Sequence, residues 1–218
     1  MGGIKSEWWA RSSRNRWAAS SESANRILPR RILNPADMRA VLAVPDLAKP
    51  GGVRNRAVLE TLYSTGMRRQ ELLGLSIGDL DRERGVILIR HGKGMKDRVV
   101  PVGVKTIDWI DRYLDAWRRR YPAHPTSGTL FLSQKGLPMS AARLAEIVHA
   151  CIDKADIGKR GACHLLRHSM ATAMLEHGAD IRYIQAILGH AQLTTTQIYA
   201  QVSIRQLKAV HTATHSDW

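Results

Sequence analysis

Apolar residues recur at helical spacing along much of the chain, which predicts a series of amphipathic helices. The first helix is predicted to begin at Asn34-Pro35, because Asn is a favourable N-cap and Pro suits the first helical position. Residues 71–75 are predicted to form the beginning of a short helix. Between these two, a helix is predicted to end near Gly66, with an apolar face formed by Val58, Leu59, Leu62 and Tyr63.

The spacing of the apolar residues changes at Gly85. The run Val86-Ile87-Leu88-Ile89 is apolar and rich in β-branched residues, and the run Arg98-Val99-Val100-Pro101-Val102 has the same character. A segment of turn-forming residues at 91–97 separates the two runs. This arrangement predicts a β-hairpin with a glycine-bearing turn.

Helical spacing returns after the hairpin and continues toward the end of the chain. The later predicted elements are a helix over 107–121 and a short strand or extended segment over 130–132. They continue with a helix that Ser140 caps and that runs to about 155, a helix over 164–176, a helix that Asp180 caps and that ends at Gly189, and a helix over 204–210. Thr194 and Gln197 fit a capping box, which predicts a short helix that bears Tyr199. The pattern as a whole predicts an α+β fold that is mainly α-helical with a small antiparallel β-hairpin or sheet.

The composition indicates a globular protein with a polyanionic partner. Hydrophobic residues make up 44% of the 218 residues and charged residues 24%, as in an ordinary globular domain. Lys and Arg number 33 against 19 Asp and Glu, which gives a formal net charge of +14. This balance favours nucleic acid as the partner, then an anionic membrane surface, and it also fits a basic protein that is merely soluble.

The sequence lacks the signals of several other protein classes. It contains no apolar run of about 18 residues and no secretory signal, so a cytoplasmic protein with no membrane partner is expected. Cys151 and Cys163 form no CxxC motif, which predicts neither a disulfide framework nor a thiolate metal site. His164 and His168 have a zinc-like spacing, but the HExxH glutamate is missing. No metal or other cofactor is expected.

A set of polar side chains calls for a chemical explanation, because apolar residues would suffice to pack the helices that carry them. The set comprises Arg68, Lys93, His164, Arg167, His190 and Tyr199. It contains neither the carboxylate pair of glycosidases nor the acidic cluster of two-metal nucleases. It suits metal-free transfer at a phosphodiester, in which guanidinium groups stabilise charge, Lys and His move protons, and a Tyr hydroxyl is the nucleophile.

Each of these residues taken alone also has an ordinary structural interpretation. Arg68 could pair with Glu71, and Lys93 could be a solvated turn lysine. His190 could cap a helix C-terminus, and Tyr199 could be a core or surface aromatic. Only the whole set, in this order, favours catalysis.

Five short motifs follow one another along the chain. They are Ser64–Leu72 (STGMRRQEL), Gly92–Arg98 (GKGMKDR), His164–His168 (HLLRH), Leu188–His190 (LGH) and Thr194–Tyr199 (TTTQIY). In their order and spacing they resemble the catalytic domain of the tyrosine recombinases, also called the phage integrase family, and most of all its Xer-like bacterial branch. The resemblance covers residues 34–210 and implies the fold of that catalytic domain.

The resemblance implies how the phosphate of a DNA strand would be held. Arg68 and Arg167 would clamp the scissile phosphate, and His190 would donate a hydrogen bond to it. Lys93 would be the general acid that protonates the leaving 5′ oxygen.

The resemblance also implies a covalent intermediate. Tyr199 would attack the phosphate with help from His164 in proton transfer, leaving a 3′-phosphotyrosine and a free 5′-hydroxyl. Neither a metal nor ATP would be required. Glu71 is expected to hold an arginine, and His168 to support packing.

The family organisation predicts three segments. Residues 1–30 would form a basic N-terminal arm or linker stub, residues 31–202 the catalytic domain, and residues 203–218 a C-terminal helix and tail. That last segment could be exchanged between subunits or could pack on its own domain. The expected partners are double-stranded DNA recombination sites and further copies of this chain, as a tetramer on DNA and as a monomer or weak oligomer alone. A cytoplasmic, nucleoid-associated location is expected.

Family members usually carry a helical core-binding domain before the catalytic domain, and residues 1–30 are too few to form one. The chain is therefore expected to be an excised fragment, a minimal recombinase or a decayed copy. Two other functions stay open. One is DNA relaxation like that of type IB topoisomerases, and the other is a catalytically idle DNA-binding module.

Overall fold

The computed structural model describes residues 32–90, 97–118, 128–189 and 204–215. Predictions for the basic arm, the hairpin turn and the helix bearing Tyr199 lie outside these residues. The described helices are α1 (Pro35–Ala43), α2 (Pro50–Thr65), α3 (Arg69–Leu73), α4 (Val104–Tyr113), α5 (Ala141–Lys154), α6 (Cys163–Glu176), α7 (Ile181–Leu188) and α8 (Ile204–Thr214). The described strands are β1 (Leu80–Asp81), β2 (Val86–Ile89) and β3 (Arg98–Pro101).

Local capping signals predicted several helix ends correctly. Asn34 caps α1, since its side-chain oxygen accepts from the Asp37 amide at 2.8 Å and the Asp37 carboxylate accepts from the Asn34 amide at 2.9 Å. Ser140 and Asp180 likewise accept amide hydrogen bonds at the starts of α5 and α7. The sequence therefore predicted where these helices begin.

The predicted hairpin is confirmed as part of a three-stranded antiparallel sheet with the order β1-β2-β3. In the hairpin Val86 pairs with Pro101 and Ile89 with Arg98. The strand β1 was not predicted, because two residues are too few to form a pattern. The mainly helical α+β class is confirmed, and no helix within the described ranges is long and apolar enough to cross a membrane.

The short helix predicted at 71–75 lies two residues earlier, at Arg69–Leu73, and two other helices extend beyond their predicted bounds. The helix predicted over 107–121 begins at Val104, after the N-cap Gly103, and continues beyond Tyr113 as a π-helical turn at Leu114–Arg118. The last helix extends past Val210 to Thr214. In that extension polar residues are buried, so the apolar pattern gave no signal for it.

The helix α2 is the centre of the fold. Most of its residues are buried, and it packs against α4 and α6. The hydroxyls of Thr61 and Thr65 donate to carbonyls one turn back, at 2.7 Å and 2.6 Å, so these buried polar groups are satisfied inside the helix. The C-terminal end of α2 thereby enters the interior of the domain, where the candidate site lies.

Candidate active site

The candidate site is built around Gly66, the residue that ends α2. Gly66 has φ of 58°, a left-handed conformation that favours glycine. A Cβ atom here would lie 2.0 Å from Cε of Met170 in α6 and 2.9 Å from Cδ2 of Leu188 in α7. The glycine therefore lets the end of α2 lie close to the middle of α6 and to the end of α7.

Arg68 follows this corner as the N-cap residue of α3. Its amide donates to Oε2 of Glu71 at 2.7 Å, and its Nη1 donates to Oε1 of the same carboxylate at 2.9 Å. Its Nη2 donates to the carbonyl oxygen of Gly189 at 3.1 Å. The expected role of Glu71 in holding an arginine is confirmed. The Arg68 side chain is 28% exposed, so a ligand in solvent can reach it.

Arg167 approaches the same place from the interior of α6. Its Nη1 donates to the carbonyl of Gly66 at 2.5 Å, and its Nη2 donates to the carbonyl of Leu188 at 2.8 Å. Burial lowers the pKa of Arg167 to about 10, and the positive charge of Arg68 adds to this effect. The guanidinium therefore remains charged at neutral pH, although its hydrogen bonds to the described residues go to neutral carbonyls.

Arg98, the first residue of β3, joins the site although the sequence reasoning assigned it no role. Its Nη1 and Nη2 donate to Oε1 and Oε2 of Glu71 at 2.8 Å and 2.7 Å, which makes a two-pronged ion pair. Its Nε donates to the carbonyl of Ile187 at 3.1 Å. The sequence signal that could have identified Arg98 is a charged residue at the start of an otherwise apolar strand.

Three guanidinium groups thus bind three successive carbonyl oxygens at the end of α7. The pairs are Arg98 with Ile187, Arg167 with Leu188, and Arg68 with Gly189. The last carbonyls of a helix lack intrahelical partners and carry partial negative charge, so cations are stabilised there. The arrangement gathers positive charge at one point and can bind an anion such as a phosphate.

Glu71 is the carboxylate that neutralises part of this charge. Burial raises the pKa of Glu71, but hydrogen bonds from the Arg98 side chain and the Arg68 amide, together with the charge of Arg98, outweigh burial and lower the pKa to about 2. Glu71 is therefore ionised at neutral pH and acts as a fixed charge partner rather than as a proton donor.

The structure describes only part of the remaining predicted set. His164 is exposed in the first turn of α6, one helical turn before Arg167. His168 is also exposed, so its expected packing role is wrong. Within the ranges that the structure covers, no group of three or more His, Cys, Asp or Glu side chains is placed to hold a metal ion. The predicted residues outside the described ranges are Lys93, His190 and Tyr199.

Comparison with known sequences shows similarity over nearly the whole chain. A family model described as "Phage integrase family" matches residues 31–205. The protein named tyrosine recombinase XerC 2 of Ralstonia nicotianae is 48% identical over 213 residues, which is 96% of this chain and 61% of that protein. The chain therefore spans less than two thirds of the length of this relative.

Comparison with solved structures shows the same fold. A crystal structure of XerA recombinase is 32% identical, with a TM-score of 0.66, and the match covers 86% of this chain and 66% of that chain. A crystal structure of the XerH site-specific recombinase bound to its difH substrate is 30% identical, with a TM-score of 0.64. That match covers 83% of this chain and 49% of the XerH chain.

Proposed function

The chain belongs to the phage integrase family, and on that premise we propose that it carries the catalytic domain of a site-specific DNA recombinase. The observation that carries the proposal is the convergence of Arg68 and Arg167 on adjacent carbonyls at the end of α7. Two charged guanidinium groups held in this way suit the non-bridging oxygens of a phosphate. The formal net charge of +14 suits DNA as the substrate.

The proposed reaction exchanges one phosphoester bond for another. The Tyr199 hydroxyl oxygen bonds to phosphorus, and the bond from phosphorus to the 5′ oxygen breaks. His164 takes the tyrosine proton, and Lys93 gives a proton to the leaving oxygen. Arg68, Arg167 and His190 stabilise the charge on the phosphate, as the family resemblance implies.

The 3′-phosphotyrosine keeps the energy of the broken bond. A 5′-hydroxyl from a second duplex can therefore attack phosphorus and release the tyrosine, which rejoins the strand without ATP. Because the arginines supply the positive charge at the phosphate, the proposed reaction assigns no step to a metal ion.

The proposed assembly follows the family pattern. A tetramer of the chain would hold two recombination sites, with residues 31–202 as the catalytic domain. Residues 1–30 would act as a basic arm that adds phosphate contacts, which raise affinity more than sequence choice. The C-terminal segment, residues 203–218, would pack on its own domain through α8, and the protein would act in the cytoplasm on nucleoid DNA.

The test is covalent trapping. The protein is mixed with a library of DNA fragments, and the DNA that stays bound under denaturing conditions is sequenced to find the site. A nicked duplex bearing that site is then incubated with the wild type and the variants Tyr199→Phe and Tyr183→Phe. We expect a protein–DNA adduct with the wild type and with the Tyr183→Phe control, and none with Tyr199→Phe. No adduct with the wild type, or an adduct with Tyr199→Phe, overturns the proposal.

Assays of plasmid relaxation and DNA binding with the same protein distinguish the two other functions. Relaxation of supercoiled plasmid without recombinant products would indicate topoisomerase-like activity. Salt-sensitive DNA binding with no adduct on any substrate would indicate an idle binding module. Binding alone does not discriminate, because all three functions involve many phosphate contacts.

A further inference from the structure

We propose that Arg98 is a positioning residue that holds Arg68 in the geometry needed for phosphate binding, through their shared partner Glu71. The inference rests on the proposed function for its catalytic consequence. Its structural part, the restraint of Arg68, stands on the contacts themselves.

The carboxylate of Glu71 is shared between Arg98 and Arg68. Oε1 accepts from Nη1 of both Arg98 and Arg68, at 2.8 Å and 2.9 Å. Oε2 accepts from Nη2 of Arg98 and from the amide of Arg68, both at 2.7 Å. The fork of Arg98 therefore determines the orientation of the carboxylate, and the carboxylate in turn restricts the position of the Arg68 guanidinium.

The three side chains differ in their exposure to solvent. The Arg98 side chain is 11% exposed and that of Glu71 is 6% exposed, whereas the Arg68 side chain is 28% exposed. Arg98 is therefore an interior group, and Arg68 is the one that a ligand can reach. This order of burial suits a positioning role for Arg98 rather than direct contact with DNA.

Arg98 also contacts the end of α7. Its Nε bonds the carbonyl of Ile187, and a Cβ added at Gly189 would lie 3.0 Å from Cζ and Nε of Arg98. The glycine thus gives the guanidinium room to lie against the end of the helix. Arg98 thereby connects β3, Glu71 and α7, and Arg68 itself bonds to Glu71 and to the carbonyl at the end of α7.

The test compares Arg98→Met and Arg98→Lys with the wild type on a nicked duplex bearing the site. The readouts are the single-turnover rate of adduct formation at saturating DNA and the affinity for DNA. We expect Arg98→Met to slow adduct formation by about 100-fold, because a small misplacement of a catalytic group has an effect of that order. Arg98→Lys should be intermediate, since one ammonium cannot bond both carboxylate oxygens in the geometry of a guanidinium. The affinity for DNA should be unchanged.

Two controls separate positioning from general destabilisation. Val41→Ala removes buried volume in α1, whereas the described hydrogen bonds of the three arginines go to Glu71, Gly66 and the end of α7. It should lower stability while leaving the rate of adduct formation near that of the wild type. In an Arg68→Ala background, Arg98→Met should change the remaining rate by no more than about twofold, because its partner is already absent. The inference is overturned if Arg98→Met slows adduct formation in the Arg68→Ala background as much as it does in the wild type. It is also overturned if Val41→Ala slows adduct formation as much as Arg98→Met does.

A second readout needs no reaction at all. Modification of Arg68 by phenylglyoxal, followed by mass spectrometry, reports how firmly that guanidinium is held. We expect faster modification of Arg68 in Arg98→Met than in the wild type or Val41→Ala, and equal rates overturn the inference. If no variant or wild type forms an adduct but this difference is seen, the proposed function fails and the positioning role stands.

Discussion

Arg68 and Arg167 donate hydrogen bonds to adjacent carbonyl oxygens, those of Gly189 at 3.1 Å and of Leu188 at 2.8 Å. One arginine comes from the N-cap of α3 and the other from the interior of α6. Because both bind one helix end, their relative position is set before any phosphate arrives. A site of this kind needs little reorganisation when charge develops on a bound phosphate.

The bonding of Arg167 predicts that lysine cannot replace it. A guanidinium donates from separate nitrogens to Gly66 and Leu188, whereas lysine has a single nitrogen. We expect Arg167→Lys to lower the single-turnover rate of adduct formation by about 100-fold or more, as does the loss of a donor to a transition-state oxyanion. Quantitative denaturing gels on a nicked duplex would measure this rate.

An exposed arginine provides the matched control for that substitution. Arg143 pairs with Glu146 on the surface of α5, so Arg143→Lys should leave the rate of adduct formation unchanged. Arg167→Lys cleaving as fast as Arg143→Lys would show that the two carbonyl contacts of Arg167 do not contribute to the reaction.

Local signals in the sequence predicted much of the fold but not all of it. Asn34, Ser140 and Asp180 were correctly read as N-caps, because capping depends on residues only a few positions apart. The helix extension to Thr214 was missed, since it depends on polar side chains that find partners in a distant part of the chain. The π-helical turn at Leu114–Arg118 was missed as well, because its apolar pattern is that of an ordinary helix.

The close approach of Gly189 to Arg98 predicts a specific cost for alanine at this position. Gly189 has φ of 64°, so Ala there is strained by about 1–2 kcal/mol. The added Cβ would also lie 3.0 Å from Cζ of Arg98, which three hydrogen bonds to Glu71 and Ile187 hold in place. Gly189→Ala should therefore lower both the free energy of unfolding and the rate of adduct formation.

Gly178→Ala separates the two effects of that substitution. Gly178 also has a positive φ, of 86°, but a Cβ there would meet nothing within 4 Å. Urea unfolding should show a smaller loss in the free energy of unfolding for Gly178→Ala than for Gly189→Ala. Only Gly189→Ala should slow adduct formation. Equal losses of stability would mean that Arg98 yields freely to the new methyl group.

In the candidate site, too, the sequence predicted residues that lie in local motifs but not the contacts between distant parts of the chain. Arg68 and Arg167 could be named from the sequence because each lies in a recognisable motif. Their common attachment to the end of α7 could not be predicted, since hydrogen bonds to backbone carbonyls leave no residue pattern. Arg98 was missed because its ion pair with Glu71 and its hydrogen bond to the carbonyl of Ile187 join distant parts of the chain, although it lies in the GKGMKDR motif together with Lys93.

The helix α8 packs on the domain through the buried His211 and through the buried His215 that directly follows the helix. Nε2 of His211 lies 2.7 Å from the carbonyl oxygen of Ser64, and Nε2 of His215 lies 3.3 Å from that of Tyr63. The two imidazole rings stack with centroids 4.8 Å apart. Burial lowers the pKa of His215 from 6.5 to about 3, with smaller contributions from His211 and His177, and the carbonyl of Tyr63 opposes the shift. His215 is therefore neutral when α8 is packed.

This neutral histidine predicts that the protein loses stability in mild acid. Because the pKa of His215 is lower in the folded than in the unfolded chain, its contribution is complete above pH 6.5 and falls steadily as the pH drops from there toward 3. Between pH 7 and pH 5 the loss should be about 2 kcal/mol, which urea unfolding at several pH values would measure. Over this range the free energy of unfolding of His215→Phe should fall by about 2 kcal/mol less than that of the wild type. The exposed control His168→Gln should show the same pH dependence as the wild type. The same pH dependence in His215→Phe as in the wild type would assign the acid sensitivity to another group.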